Sequence, residues 1–326
     1  MRIVSIFAAL CIVGGAAAVP ARAQDDYPAR PVTVIVPYAA GGPTDSIARL
    51  TAEGMGRELG KQFVVENVTG AGGTLASTRV ARSDPDGYTL MVHHIGISTA
   101  PALYRKLAFD TKTAFAPIGL ISDAPSTVIA RPDFPANTFP ELIAKIKAEK
   151  GSLTYAHAGL GASSHLCGTL FQQAIGVQMT TVPYKGNGPI LTDLMGKQID
   201  ITCDQTTNTT GPIKEGKVKG YAVTANKRVA QLPDVPTSEE GGLKGFEMST
   251  WHGIYAPAGT PDAVIAKLSA ALQKTVTDPA FVDRLAKIST TAASKEDATP
   301  EALKKRLFSE IDRWSPIIKA AGQFAD

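Results

Sequence analysis

The sequence predicts an α/β fold in two domains, on three observations. Strand-like and helix-like patterning alternate along almost the whole chain, as in sheets covered by helices. A mature chain of about 300 residues exceeds what one hydrophobic core supports. Finally, one local pattern occurs twice, far apart in the chain: a buried strand runs into a glycine-rich, small-polar turn that opens a helix.

The elements follow in order. Arg2 precedes an apolar run over 3–19 and the small-x-small triplet Ala21-Arg22-Ala23. Residues 1–23 therefore read as a secretory signal peptide, with the mature chain starting at Gln24 and exported to the periplasm. The run is short for a membrane span. Leu10 stands before Cys11 where a lipidation site needs a small residue. A strand over 32–38 then meets Ala39-Ala40-Gly41-Gly42-Pro43-Thr44-Asp45 and a helix over 46–59. Next come a strand over 63–66, a glycine-rich turn over 69–73, and a helix to about residue 81. The turn Asp84-Pro85-Asp86-Gly87 precedes a strand over 88–92 that ends at His93 and His94. Strands over 115–121 and 126–130, separated by Asp123-Ala124-Pro125, mark the crossing into a second domain.

There Thr138-Phe139-Pro140-Glu141 forms a capping box, with the proline in the first helical turn. A strand over 152–156 leads through His157-Ala158-Gly159-Leu160-Gly161-Ala162-Ser163-Ser164 into a helix over 165–175. Strands over 180–182, 199–202 and 220–224 follow. Residues 232–245 read as a surface connection and 250–256 as a strand leading back. The remainder to residue 321 is largely helical, restarting at Asp278-Pro279-Ala280. The domains are thus 24–122 plus 250–326, and 123–249.

A helix N-terminus presents unpaired N–H groups and roughly half a positive charge, and glycine lets a ligand approach the backbone. Two such turns suggest two domains closing on one small anion. The formal charge of +3 belongs largely to Arg2 and Arg22 of the signal peptide, and no basic stripe of a nucleic-acid binder is present. Gly159-Leu160-Gly161-Ala162-Ser163-Ser164 lacks the third glycine of a dinucleotide turn, and Gly161-Ala162-Ser163-Ser164-His165 ends in histidine where a nucleophile elbow has glycine. No P-loop or helix-borne metal motif occurs, and the spacing of the histidines is uninformative about a metal.

His93, His94 and His157 follow strands, His165 opens a helix and His252 lies in the returning strand. They read either as solvated or hydrogen-bonded loop residues or as anion donors at the carboxyl ends of strands. Asp204, followed by Gln205-Thr206-Thr207-Asn208, either caps a helix starting near Pro212 or accepts hydrogen bonds from a ligand. Cys167 and Cys203 remain after signal cleavage; whether they pair depends on a Cα separation that sequence does not give.

Several motifs then match in order and spacing. They include Tyr27-Pro28-Ala29-Arg30-Pro31, Val36 to Asp45, Val65-Glu66-Asn67 with Gly70-Ala71-Gly72-Gly73, and Asp86-Gly87-Tyr88-Thr89-Leu90. Pro101-Ala102-Leu103-Tyr104, Ser163-Ser164-His165-Leu166 and Val182-Pro183-Tyr184-Lys185-Gly186 follow, then Leu232-Pro233-Asp234-Val235-Pro236-Thr237 and Ala256-Pro257-Ala258-Gly259-Thr260-Pro261. On these the mature chain resembles the Bug/TctC-type periplasmic solute-binding proteins of tripartite tricarboxylate transporters. The resemblance implies a type II-like clamshell, the periplasmic-binding-protein fold, with two hinge strands closing over an organic acid.

It places the ligand against Tyr38, Gly41, Gly42, Thr44 and Asp45 of the first turn; Ala71, Gly72 and His93 are expected beside them. From the second domain it adds Gly161, Ala162, Ser163, Ser164 and His165, with Asp204 reading the distal end. Cys203-Asp204-Gln205 departs from the usual Phe-Asp-Asn, Cys167 stands where alanine is frequent, and the His93-His94 pair is unusual. The expected function is capture of a small organic carboxylate by a monomer and delivery to membrane permease subunits, without catalysis, metal or cofactor. The alternatives are an exported Ser/His hydrolase using Ser163 or Ser164, and a ligand-loaded co-sensor for a membrane receptor.

Overall fold

In the computed structural model, residues 27–322, 324 and 325 are described; the expected signal peptide and the start at Gln24 lie outside them. The β-branched run Val32–Val36 (β1) is buried between helices and pairs in parallel with Phe63–Asn67 (β2) and Thr89–His94 (β3). Ser249–Pro257 (β9) runs antiparallel between β3 and the first part of Phe115–Ala130 (β4). The last part of β4 pairs with Ile201–Gln205 (β7) and Lys219–Val223 (β8). Thr154–His157 (β5) and Thr180–Pro183 (β6) extend this side in parallel. The sheet order is β2-β1-β3-β9-β4-β7-β5-β6, with β8 and Thr291–Ala292 (β10) also on β4. It therefore has two halves sharing β4, and β9 leads the chain back from the second to the first.

Helices cover both halves. Pro43–Leu59 (α1) packs on Asp262–Thr277 (α8), and their apolar faces bury Ile47, Met55, Leu268 and Leu272. Thr74–Ala81 (α2) and Gly96–Leu103 (α3) complete the first half, with Pro300–Ala321 (α10) packed on α3. Phe139–Ala148 (α4) and Ser163–Ile175 (α5) stack Phe139 on Phe171 beneath the second half. Thr138 caps α4 by accepting from the Glu141 amide, as the capping box predicted. Cys167 on α5 and Cys203 on β7 form a disulfide with their Cα atoms 6.0 Å apart, which settles the pairing the sequence left open. Among the described residues no helix is long and apolar enough to cross a membrane.

Several boundaries differ from expectation. β4 is one strand of 16 residues, not two. Pro125 is the last β4 residue in register with β9, opposite Ser249, so its missing N–H falls at the end of that ladder, where β7 takes over from Ser126. β7 lies later than predicted and contains Asp204, and Thr206–Lys214 (α7) starts at Thr206 rather than near Pro212. Its threonine-rich opening has poor helix propensity, but Thr209 and Thr210 hydroxyls bond back to the carbonyls of Gln205 and Thr206. Asn187–Met195 (α6) was not anticipated, and Pro279–Lys287 (α9) and α10 are separated by β10.

Candidate ligand site

At the carboxyl end of β1 the chain turns through Gly42, extended at φ −88° and ψ 174°, into α1 with Pro43 in its first turn. No side chain caps this helix. Asp45 is engaged within the turn: its carboxylate accepts from the Gly41 N–H (3.0 Å), Asn67 Nδ2 (3.0 Å) and Arg49 Nε (3.0 Å). Burial raises the Asp45 pKa, but the bonds from Arg49, Gly41 and Asn67 outweigh it and hold the group below its usual range. Asp45 thus fixes the loop that Gly41 and Gly42 shape.

Tyr38 stacks on His94, ring centroids 4.5 Å apart, and its hydroxyl donates to the Gly72 carbonyl at 3.1 Å. His93 meets Tyr38 edge-on behind it. The antiparallel register of β3 and β9 sets His94 beside His252, whose ring nitrogens lie 3.4 Å from the hydroxyls of Thr44 and Ser122. All three imidazoles are buried. Burial lowers His93 to about 4 and, helped by charge repulsion from His93, His252 to about 3, so both are neutral at pH 7.

In the second half, Ala162 is the extended residue before α5, again with no side-chain cap. Ser164 Oγ accepts from the Ala158 N–H (2.9 Å) and donates to Asn187 Oδ1 (3.1 Å). Asn187 Nδ2 donates in turn to Asp204, which also accepts from the Gln205 N–H (2.7 Å) and Asn208 Nδ2 (2.6 Å). Burial raises the Asp204 pKa to about 6, with these bonds opposing it. Ser163 Oγ accepts from Gln205 Nε2 at 3.2 Å, while Gln205 Oε1 is buried without a partner. His165 Nδ1 accepts from the Gly161 N–H at 3.3 Å and its ring packs edge-on against His157.

The halves meet through backbone. The Ala39 N–H donates to the Lys185 carbonyl (3.0 Å), Tyr104 hydroxyl to the Leu160 carbonyl (3.0 Å), and Thr99 hydroxyl to the Gly161 carbonyl (3.3 Å). Gly72, at φ +59°, lies so close to Leu160 that a side chain there would collide with its carbonyl oxygen. Between the halves lies a narrow cleft lined by Tyr38, Gly42, Pro43, Thr44 and His94 on one side. Ala158, Ser163, Asn187 and Gln205 face them, and the space left takes about one water.

Of the residues expected to hold the ligand, Tyr38, Gly42, Thr44 and Ser163 line this cleft. Gly41 and Asp45 shape the first turn, Ala71 and Gly72 form the 3-10 turn that meets the other half, and His93 backs Tyr38. Gly161, Ala162, Ser164 and His165 build the second turn, and Asp204 orients Asn187 beneath the lining. Sequence reasoning missed Asn187, whereas Gln205 was already marked beside Asp204 at the distal end of the ligand. Gly186-Asn187-Gly188-Pro189, like Gly41-Gly42-Pro43-Thr44, sets glycines and a proline at a helix start and could have revealed Asn187.

The cleft gathers the N-terminal ends of four helices: Gly42, Pro43 and Thr44 of α1, Ser163 of α5, Asn187 of α6 and Gln205 of α7. Among the described residues no Lys or Arg side chain lines it. The helices' positive ends and unpaired N–H groups suit an anion without a formal counter-charge.

Residues 47–323 match the family described as the tripartite tricarboxylate transporter family receptor. The UPF0065 protein in the TAR-I ttuE-ttuC' intergenic region of Agrobacterium vitis is 48% identical over 303 residues, covering 93% of this chain and 88% of its own. The periplasmic binding protein BugD superposes with a TM-score of 0.89 at 49% identity, covering 92% of this chain and 100% of that one. MatC from Rhodopseudomonas palustris, solved with bound malate, superposes at 0.86 and 40% identity, covering 90% and 100%. The fold is thus that of the periplasmic binding proteins, and the chain belongs to the TctC family of tripartite tricarboxylate transporter receptors.

Proposed function

We propose that the protein captures a small organic carboxylate in the periplasm and hands it, as a monomer, to the membrane permease subunits of a tripartite transporter. The observation that carries this reading is the convergence of four helix N-termini on one cleft between the halves. One carboxylate is held by the turns at Gly42–Thr44 and Ser163, while Asn187 and Gln205, steadied by Asp204, read what lies beyond it. Residues 24–122 plus 250–326 move against 123–249, with β4 and the start of β9 as hinges, and ligand contacts to both bodies favour closure.

The reading involves no chemistry on the ligand. The hydroxyls of Ser163 and Ser164 are engaged with the amides of Gln205, Ala158 and Asn187, which supports binding over nucleophilic attack. Malate in the MatC structure fits the same class of ligand. Native mass spectrometry of protein exported and purified without refolding tests the reading. It is expected to show one retained carboxylic acid that is released unchanged; a converted product would favour the hydrolase.

A further inference from the structure

The hinge carries a second cavity that shares no residue with the cleft and has a volume of about 730 Å³. That is the size range of small-molecule sites. One wall is the loop after β8 at 224–230; the other is the end of α9, the turn at 289–291 and the α10 arginines. Its floor is Pro125 of β4 with Met248 and Ser249, where the chain passes between the halves. Both halves therefore contribute to it.

The lining combines carbon-rich surface with charge of one sign. Val229, Ala230, Met248 and Ala286 supply apolar contact. Lys227, Arg228, Arg306 and Arg313 face the cavity against a single lining acid, Glu247. The carboxylates that pair with the arginines stand outside the lining: Glu240 at 2.8 Å from Arg228, and Glu310 and Asp123 at 3.4 and 3.6 Å from Arg306. Glu310 is also the partner of Arg313, at 3.6 Å. Arg306 Nε is buried against Glu310, so the edge of the guanidinium left to the cavity is its terminal nitrogens.

We propose that this hinge cavity is a second binding site, for a small amphiphilic organic anion. Its carboxylate pairs with Arg306 and Lys227, and its apolar body lies on Met248 and Val229. The site is placed to act on closure. Thr206 hydroxyl donates to the Ser289 carbonyl (2.7 Å), Thr207 and Thr290 hydroxyls meet at 2.7 Å, and Thr210 and Ser289 hydroxyls meet at 3.0 Å. This seam joins α7, whose preceding Gln205 lines the cleft, to the turn that lines the cavity. An occupant touching both halves favours the arrangement in which they enclose it.

Methyl-labelled methionine NMR tests this, with Met248 as reporter and octanoate and neutral octanamide as probes. Octanoate is expected to shift the Met248 methyl saturably. Octanamide, or octanoate with Arg306→Ala, should bind roughly tenfold or more weakly, the loss of one charge-assisted hydrogen bond. Ala286→Trp, which fills the cavity from an exposed position, should abolish the shift, and Ser163→Ala with Ser164→Ala in the cleft should leave it in place. No Met248 shift, equal affinity for octanamide, or a shift that survives Ala286→Trp but is lost with the cleft variant would overturn the proposal.

Discussion

Replacing Gly72 with alanine separates closure from folding. A Cβ at this position would stand 2.0 Å from the Leu160 carbonyl oxygen and 2.4 Å from the Tyr104 hydroxyl. The carbonyl belongs to the backbone of the opposite half and has no rotamer by which to withdraw, so the halves must part locally by about 1 Å or more. The bonds that cross this seam are Ala39–Lys185, Tyr104–Leu160 and Thr99–Gly161. Losing one or two of them, at about 0.5–1.5 kcal/mol each, costs roughly 0.5–3 kcal/mol of closure and weakens ligand binding roughly 2- to 150-fold. The left-handed backbone adds about 1–2 kcal/mol of strain, but equally in open and closed forms, so it lowers stability and not affinity.

Gly60→Ala supplies the control, because Gly60 has φ +67° and a Cβ added there would meet nothing within 4 Å. Titration calorimetry with the carboxylate the wild type retains, together with thermal melting, reads both quantities. The expected result is similar loss of melting temperature in the two variants and loss of affinity in Gly72→Ala alone. Wild-type affinity in Gly72→Ala, or an equal loss in Gly60→Ala, would refute the reasoning.

Three further outcomes are expected. Asp204→Ala should change the ranking of carboxylates by calorimetry, since it releases Asn187 and Gln205, whereas Ser163→Ala with Ser164→Ala should weaken all of them alike; an unchanged ranking in Asp204→Ala would make that residue purely structural. Between pH 6.5 and 4 the unfolded chain protonates histidines that stay neutral in the fold, His93 down to about 4 and His252 to about 3, so stability falls with acidification. Asp204 acts in the opposite sense, because its folded value of about 6 lies above the ordinary 3.8 and the folded chain takes up its proton first. Melting curves against pH should therefore flatten in His252→Gln and steepen in Asp204→Asn, by about 2–3 kcal/mol near pH 4.5. Reduction of the Cys167–Cys203 disulfide should lower stability by about 2–4 kcal/mol in chemical denaturation.

The two strand-to-helix turns were legible because their signals are local: β-branched runs, then glycine and small polar residues, then helical periodicity. The capping box at Thr138 was readable for the same reason. What escaped was set by distant contacts. Pro125 looked like a strand break, yet β4 continues because it exchanges one set of neighbours for another at that point. The threonine run at 206–210 looked non-helical, yet it opens α7 against Ser289 and Thr290 of the other half. The meeting of His94 with His252 depends on the register of β3 and β9, which no spacing encodes. Asn187 and Gln205 reach the cleft only because α6 and α7 begin there beside α1 and α5.

The most direct measurement compares, by titration calorimetry, the retained carboxylic acid with its methyl ester and its primary amide. Under the proposed mode of binding, helix N-termini that pair the carboxylate are left with unsatisfied donors when its charge is removed, at about 1–3 kcal/mol per group. The neutral analogues are therefore expected to bind at least about fivefold more weakly than the acid. Equal affinity for acid, ester and amide would contradict the anion-turn account.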